Sequence, residues 1–300
     1  MSPSRAWCGL GCVGVTALLV ACGGTNSSAT EDGSSEQSPF STSPSEPNHE
    51  RITSEALAFL RPEIRAAVVA ANVETDVQFV AVNANHFDDC NFSGGSLVVS
   101  SSQSQAVAYL DPALTSPDAE ARALTYFARS LHAVQDFYAH TNWVELGGNV
   151  LVDSSLGAFP TFKRYQTLPA TGFVVVQGGK PKRSALTRED DASYPDNAIV
   201  TYRAKGVSAP GLISGTVDYE AGNDCPASVA MTHDELNKDK STLVGRESQY
   251  AAARALAVSQ TRHEWCRLRA LAHQRWGAAA DLQLASWVEP AATEPDCTSE

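Results

Sequence analysis

His132, Asp136 and His140 recur at four-residue intervals, amid the apolar Leu131, Val134, Phe137 and Trp143. On a helix of about 3.6 residues per turn this spacing lines them up on one stripe. Neighbours on the stripe can share an ion. The outer pair cannot, because eight positions at a rise of ~1.5 Å set them roughly 12 Å apart, while metal–nitrogen bonds are only ~2 Å. If all three are ligands, more than one metal is present, and Asp136, in the middle, has two oxygens with which to bridge. The alternative is a set of ordinary core histidines, but burying an unpaired Asp136 costs several kcal/mol or forces its protonation.

The 300-residue chain carries a net charge of −12. A carboxylate cluster awaiting cations adds to that excess, and nothing resembles a basic nucleic-acid footprint. Residues 1–21 read as an export signal, with Arg5 as the one charge and an apolar core from Val13 to Ala21. The run is too short for an ordinary membrane span. Leu19-Val20-Ala21-Cys22 has the form of a lipobox and resembles bacterial lipoprotein signals, with Cys22 as the lipidated residue. The implied location is the bacterial cell envelope, periplasm-facing or at the cell surface. A plain secretory signal is the alternative. Residues 22–47, rich in Gly, Ser, Thr, Asn, Glu and Pro, read as a disordered tether. The remainder is one domain of roughly 250 residues, ample for a large core. Cys90, Cys225, Cys266 and Cys297 remain for one or two disulfides, with three pairings open.

Along residues 48–280 the pattern is mainly α. Ile52, Ala56, Phe59 and Leu60 make a helical stripe, with His49 at its start. Pro62 opens a second helix, with Ile64, Val68 and Val69 on its apolar face, running out near residues 72–76. Residues 85–92 read as a loop, with an exposed acidic turn as the plain reading of Asp88 and Asp89. Pro117-Asp118-Ala119-Glu120 starts the helix that carries the motif, predicted to end near Trp143 or Glu145. Residues 147–220 read as a loop-rich insertion with a small β-hairpin, its strand candidates at residues 173–176 and 198–202. A metal-type cluster, His233-Asp234-Glu235-Leu236-Asn237-Lys238-Asp239, precedes a long helix over residues 246–276. Ala251, Ala255, Val258 and Trp265 are predicted to share its buried side. His263 either reaches the site or is a surface histidine, His273 reads as an ordinary helix residue, and residues 281–300 read as a tail. A helical bundle with a site between facing helices fits this pattern.

Four blocks carry a family resemblance: Asn48-His49-Glu50-Arg51-Ile52-Thr53, Asn85-His86-Phe87-Asp88-Asp89-Cys90, the run from His132 to Trp143, and Leu236-Asn237-Lys238-Asp239. Together they resemble the heterokaryon-incompatibility Het-C group. More distantly, their order is similar to the zinc-dependent phospholipase C fold shared with single-strand-specific zinc nucleases. The resemblance spans about residues 48 to 275 and is tight only in these blocks. It implies an all-α fold holding two or three zinc ions. By the same resemblance His49, Asp76, His86, His132, Asp136 and His140 are ligands, although the enzymes place the last of these two residues further on. Their final histidine and glutamate have no unambiguous counterpart; His233 is the choice here, with Glu235, Asp239 or Glu145 beside it. In the phospholipases an N-terminal tryptophan supplies backbone ligands, whereas here the mature terminus is expected at Cys22.

With the lipid anchor expected at Cys22, the resemblance implies a membrane-anchored, zinc-dependent phosphodiester hydrolase of phospholipase C type. Asp76 is the carried-over general base and Asp88 the second candidate, while Tyr138, Trp143 and Phe87 either line the entrance or pack in the core. Phospholipid is the expected substrate, because an acidic tethered protein suits lipid better than polynucleotide; a nuclease-like phosphodiesterase is the lesser alternative. The other class is a non-catalytic, Het-C-like surface interaction protein with a structural metal site.

Overall fold

The computed structural model describes residues 48–144, 186–187, 203–204, 212–217, 225, 233–238 and 247–297, with the backbone alone at 186, 187, 203, 204, 234, 235, 247 and 248. The expected signal, Cys22, the tether, Glu145, Asp239 and most of the insertion lie outside the described residues. Those that are described belong to one compact unit, Gln37–Glu300. The fold is mainly helical: α1 (Asn48–Ala56), α2 (Pro62–Phe79), α3 (Asn83–His86), α4 (Phe92–Tyr109), α5 (Ala119–His140), α6 (His233–Leu236), α7 (Glu247–Trp276) and α8 (Ala278–Trp287). A two-residue antiparallel pairing, β1 (Leu186–Thr187) with β2 (Arg203–Ala204), falls within the predicted insertion. Neither strand candidate coincides with it, and both lie outside the described residues. No described helix is long and apolar enough to cross a membrane.

Helix α5 is the centre, packed against α2, α4 and α7. Its first half is amphipathic, burying Ala123, Leu124, Phe127 and Ala128; from Ser130 to His140 every residue is buried. A helix covered on all sides belongs in a core rather than on a surface. That core contains His132, Gln135, Asp136 and His140, so partners for their polar atoms have to come from neighbouring helices.

Several elements differ from the sequence pattern for identifiable reasons. Helix α2 continues to Phe79, so Asp76 lies within it and faces inward. Helix α5 stops at His140, because Thr141 turns extended and bridges to Ser214, while the Asn142 side chain accepts from the Ile213 N–H. Helix α4 has no counterpart in the sequence pattern: its Ser- and Gly-rich sequence has low helix propensity. Gly95 belongs there because a Cβ would lie 2.4 Å from the Phe87 ring, so α4 could not come so close to that ring. On α7 the buried face includes Ala253, Ala257, Gln260, Thr261, Glu264 and Trp265, whereas Ala251 and Ala255 are exposed. Polar residues occupy core positions there, so apolar periodicity misplaces the face.

Residues 278–287, which overlap the expected tail, form α8 and bury Trp287. Leu60 bridges Val288, and Arg61 N–H donates to the Trp287 carbonyl, closing the α1–α2 corner. The disulfides are Cys90–Cys225 and Cys266–Cys297. The second ties residue 297 to α7.

Candidate metal centre

The structure brings the seven expected ligand residues, together with Asp88, into three adjoining groups. His49, Asp76 and His132 form one, His86, His132 and Asp136 a second, and Asp88, His140 and His233 a third, each with potential ligand atoms within 4.8 Å of one another. Asp136 is the pivot. Its Oδ1 lies 3.3 Å from His49 Nε2, and its Oδ2 lies 2.8 Å from His86 Nδ1 and 3.1 Å from His132 Nε2. Asp76 closes the first group, 3.6 Å from His49 Nε2 and 3.4 Å from His132 Nε2. His132 Nε2 is common to the first two groups. One nitrogen serves one ion, so His132 would ligate only one of two ions held there, while Asp136 turns one oxygen toward each group. One helical turn on, His140 reaches the third group, where Asp88 Oδ1 lies 3.1 Å from both His140 Nδ1 and His233 Nδ1.

Each of these imidazoles except His233 has one nitrogen against a carbonyl or amide oxygen. His49 Nδ1 meets Gln135 Oε1 at 2.7 Å, His132 Nδ1 meets Asn72 Oδ1 at 3.1 Å, His86 Nε2 meets the Phe79 carbonyl at 3.1 Å and His140 Nδ1 meets the His86 carbonyl at 2.9 Å. An oxygen acceptor places the proton on the nitrogen it faces and leaves the other nitrogen basic. This is the arrangement by which outer partners orient metal-ligating histidines. For His49, His86 and His132 the basic nitrogen is the one facing the carboxylates. His140 Nε2 is buried with no hydrogen-bond partner among the described residues.

The electrostatics are those of a site that holds cations or, failing them, protons. Burial alone pushes His49 down, but the Asp136 charge and hydrogen bond, with Asp76, outweigh it and push His49 up to about 10. Burial lowers His132, and the neighbouring His49 charge adds to that. His86 is raised against its burial, chiefly by Asp136. Burial opposes ionisation of Asp136, yet His132 and His49 hold it well below the usual carboxylate range. His140 and His233 do the same for Asp88. Imidazole nitrogens and carboxylate oxygens, with no thiolate among them, are donors that divalent transition metals take. A bound cation would offset the cost of burying these carboxylates, which is several kcal/mol per ion when unpaired. The residues present therefore fit a metal.

The turn that delivers His86 and Asp88 is strained. Phe87, Asp89 and Cys90 have φ of 58°, 54° and 56°, a region non-glycine residues seldom enter, at roughly 1–3 kcal/mol each. Its surroundings impose it. Asp89 N–H donates to the Gly215 carbonyl at 2.7 Å, Cys90 N–H donates to Ser214 Oγ at 2.7 Å, and Asn83 donates to the Asp89 carboxylate. The Cys90–Cys225 bridge clamps the same point. Gly215 also admits His233, since a Cβ there would lie 2.3 Å from His233 Cα.

At several positions the structure decides between two readings. Asp88 and Asp89 are buried, at 3% and 1% exposure, and do not form an exposed acidic turn. Phe87, Tyr138 and Trp143 follow the core-packing reading and are buried. Phe87 stacks edge-on with Phe137, and the Tyr138 hydroxyl donates to Gln260. His263 joins no ligand group among the described residues, and His273 is the ordinary helix residue expected, in contact with Asp281 at the surface. The residues the sequence did not reveal are the supporting ones. Asn72 and Gln135 orient imidazoles, and the buried Lys238 donates to the Thr141 carbonyl at 2.7 Å, capping the negative end of α5. Lone amides in an apolar stretch carry no distinguishing pattern, although Lys238 sits in one of the four resembling blocks.

The fold and site thus define a mainly helical protein with a buried histidine–aspartate cluster suited to cations. The family model of the VWA7 N-terminal domain matches residues 55–159. That stretch is well under half of the chain; it includes Asp76, His86, Asp88, His132, Asp136 and His140 but neither His49 nor His233. No curated protein and no solved structure matches the chain significantly. The resemblances to the Het-C group and the phospholipase C fold therefore rest on the sequence blocks alone.

Proposed function

We propose that the chain holds two or three divalent cations, zinc by the family resemblance, and hydrolyses phosphodiesters at the end of the cluster where His233 meets solvent. The observation behind this reading is a gradient of exposure. The side chains of His49, His132 and Asp136 are 0% exposed, those of Asp76 and Asp88 3–4%, and that of His233 14%. A substrate can approach from the His233 side alone among the groups described. When bound, zinc supplies Lewis acidity toward a phosphate oxygen and a nucleophile at neutral pH.

The chain's own residues supply the frame. Asp136 joins the first two groups, the 86–90 turn joins them to the third, and Asp88 orients His140 and His233. Asp76 sits in ligand position between His49 and His132. Asp88, nearest to His233, is the better placed of the two candidate bases, although the imidazoles that hold it ionised make it a weak proton acceptor. Phospholipid is the preferred substrate, on the strength of the expected anchor at Cys22; nucleotide diesters are the alternative.

The complete burial of His49, His132 and Asp136 favours a second reading, in which the metal only holds helices together within a surface interaction protein. A chromogenic phosphodiester, assayed with and without chelator, separates the two. Chelator-sensitive turnover that His233→Ala abolishes without emptying the buried groups supports hydrolysis. A full metal complement with no turnover on lipid or nucleotide diesters supports the structural role.

A further inference from the structure

The Thr261 hydroxyl, on α7, donates to the Ala257 carbonyl at 2.8 Å, a common back-bond of helical threonine. Its one proton is then committed, so the Gln135 group 3.1 Å away has to be a donor. This fixes the Gln135 amide. Its NH2 faces Thr261 and, at 3.0 Å, Thr53; its carbonyl oxygen faces His49 and Asn72. A carbonyl oxygen 2.7 Å from His49 Nδ1 requires the proton to be on that nitrogen. The same oxygen accepts from the Asn72 NH2 at 3.3 Å, and Thr53 Oγ1 accepts from it at 3.1 Å. The Asn72 carbonyl oxygen is thereby turned toward His132 Nδ1, 3.1 Å away, and requires a proton there too.

We infer that Thr261, Gln135 and Asn72 form a hydrogen-bond relay that sets, from α7, which nitrogen His49 and His132 offer to the cluster. In both residues that nitrogen is Nε2. The three are positioning residues; none is itself a candidate ligand. The relay spans α7, α5, α1 and α2, so the docking of α7 and the ligand geometry become one event. Its purpose rests on the metal-binding reading, but its existence does not, because the hydrogen bonds are those of the metal-free protein.

The test uses the full chain labelled with 15N-histidine. Long-range proton–nitrogen correlations report which ring nitrogen carries the proton. In the metal-free wild type His132 should read as the Nδ1–H tautomer. Thr261→Val removes the hydroxyl with little change of shape and frees the Gln135 amide to flip. His132 should then become a mixture of tautomers, and zinc affinity, measured by chelator competition, should fall about tenfold to a hundredfold, the usual effect of losing an outer partner. Thr261→Ser keeps the hydroxyl and should restore both.

A wild-type His132 found as Nε2–H overturns the relay, and that spectrum decides the matter even if Thr261→Val does not fold. Unchanged tautomer and affinity in a folded Thr261→Val overturn it as well. If the tautomers respond as stated but no zinc binds, the relay stands and the proposed function falls. If zinc binds and the tautomers ignore Thr261, the function survives and the relay does not.

Discussion

The buried groups around Asp136 and the rim group around Asp88 use the same donor types but are held in different ways. The buried groups draw on α1, α2, α3 and α5, with α7 behind them through Thr261, and their outer partners are mostly side-chain amides. The rim group takes His140 from the end of α5 and otherwise depends on α6, the strained 86–90 turn, residues 214–216 and a disulfide. Core packing secures the first set. Covalent and backbone clamps add to it in the second. The contrast suggests a division of labour, with rigidity inside and access at the edge.

Asp136→Asn should erase this contrast most severely. It removes the charge shared by both buried groups and strands protonated imidazoles, at about 3–5 kcal/mol as for other broken buried pairs. Thermal unfolding should shift accordingly, and metal content should drop in the buried groups and the rim alike. Replacing Cys90 and Cys225 together by Ser should cost about 2–5 kcal/mol and should hit the rim selectively, since that bridge anchors the turn carrying Asp88. A variant that loses stability but keeps rim metal would show that the backbone clamps suffice. Lys238→Met should cost about 1–3 kcal/mol through the unsatisfied Thr141 and Leu236 carbonyls, again with the rim as the weaker partner. His233→Ala should be the mildest for stability, below about 1 kcal/mol because the residue is partly exposed, while abolishing turnover and sparing the buried ions.

The stripe of His132, Asp136 and His140 was legible in the sequence because helical spacing is a local property. So were Pro62 at the start of α2 and the long α7, whose signals lie within a turn or two. Helix α4 was not legible, since its Ser-Gly composition hides a helix that tertiary packing makes. The left-handed path through Phe87, Asp89 and Cys90 leaves no trace in composition, and neither does the inward turn of Asp88. The buried face of α7 was misplaced because Gln260, Thr261 and Glu264 bond across the core, where an apolar pattern has no say. The relay joins residues that are 63 to 126 positions apart, a range at which one sequence carries no pairing signal.

The metal-free protein adds a pH-dependent readout of the buried groups. His49 is raised from 6.5 to about 10, so its contribution to stability is complete below about pH 6.5 and is lost as pH rises toward 10. Asp136 is lowered from 3.8, so its contribution is present above that value and is lost as pH falls through its lower native one. Unfolding temperature in chelator should therefore decline from neutral to alkaline pH. Saturating zinc, which replaces the His49 proton, should flatten that decline; an identical profile with and without zinc would argue against zinc at His49.

Anomalous diffraction at the zinc edge, on crystals of the wild-type chain grown with zinc, would locate the cations outright. Two or three peaks are expected, placed among His49, Asp76 and His132, between His86 and Asp136, and among Asp88, His140 and His233. Peaks confined to surface residues such as His273, or none at all, would contradict a metal cluster built around Asp136.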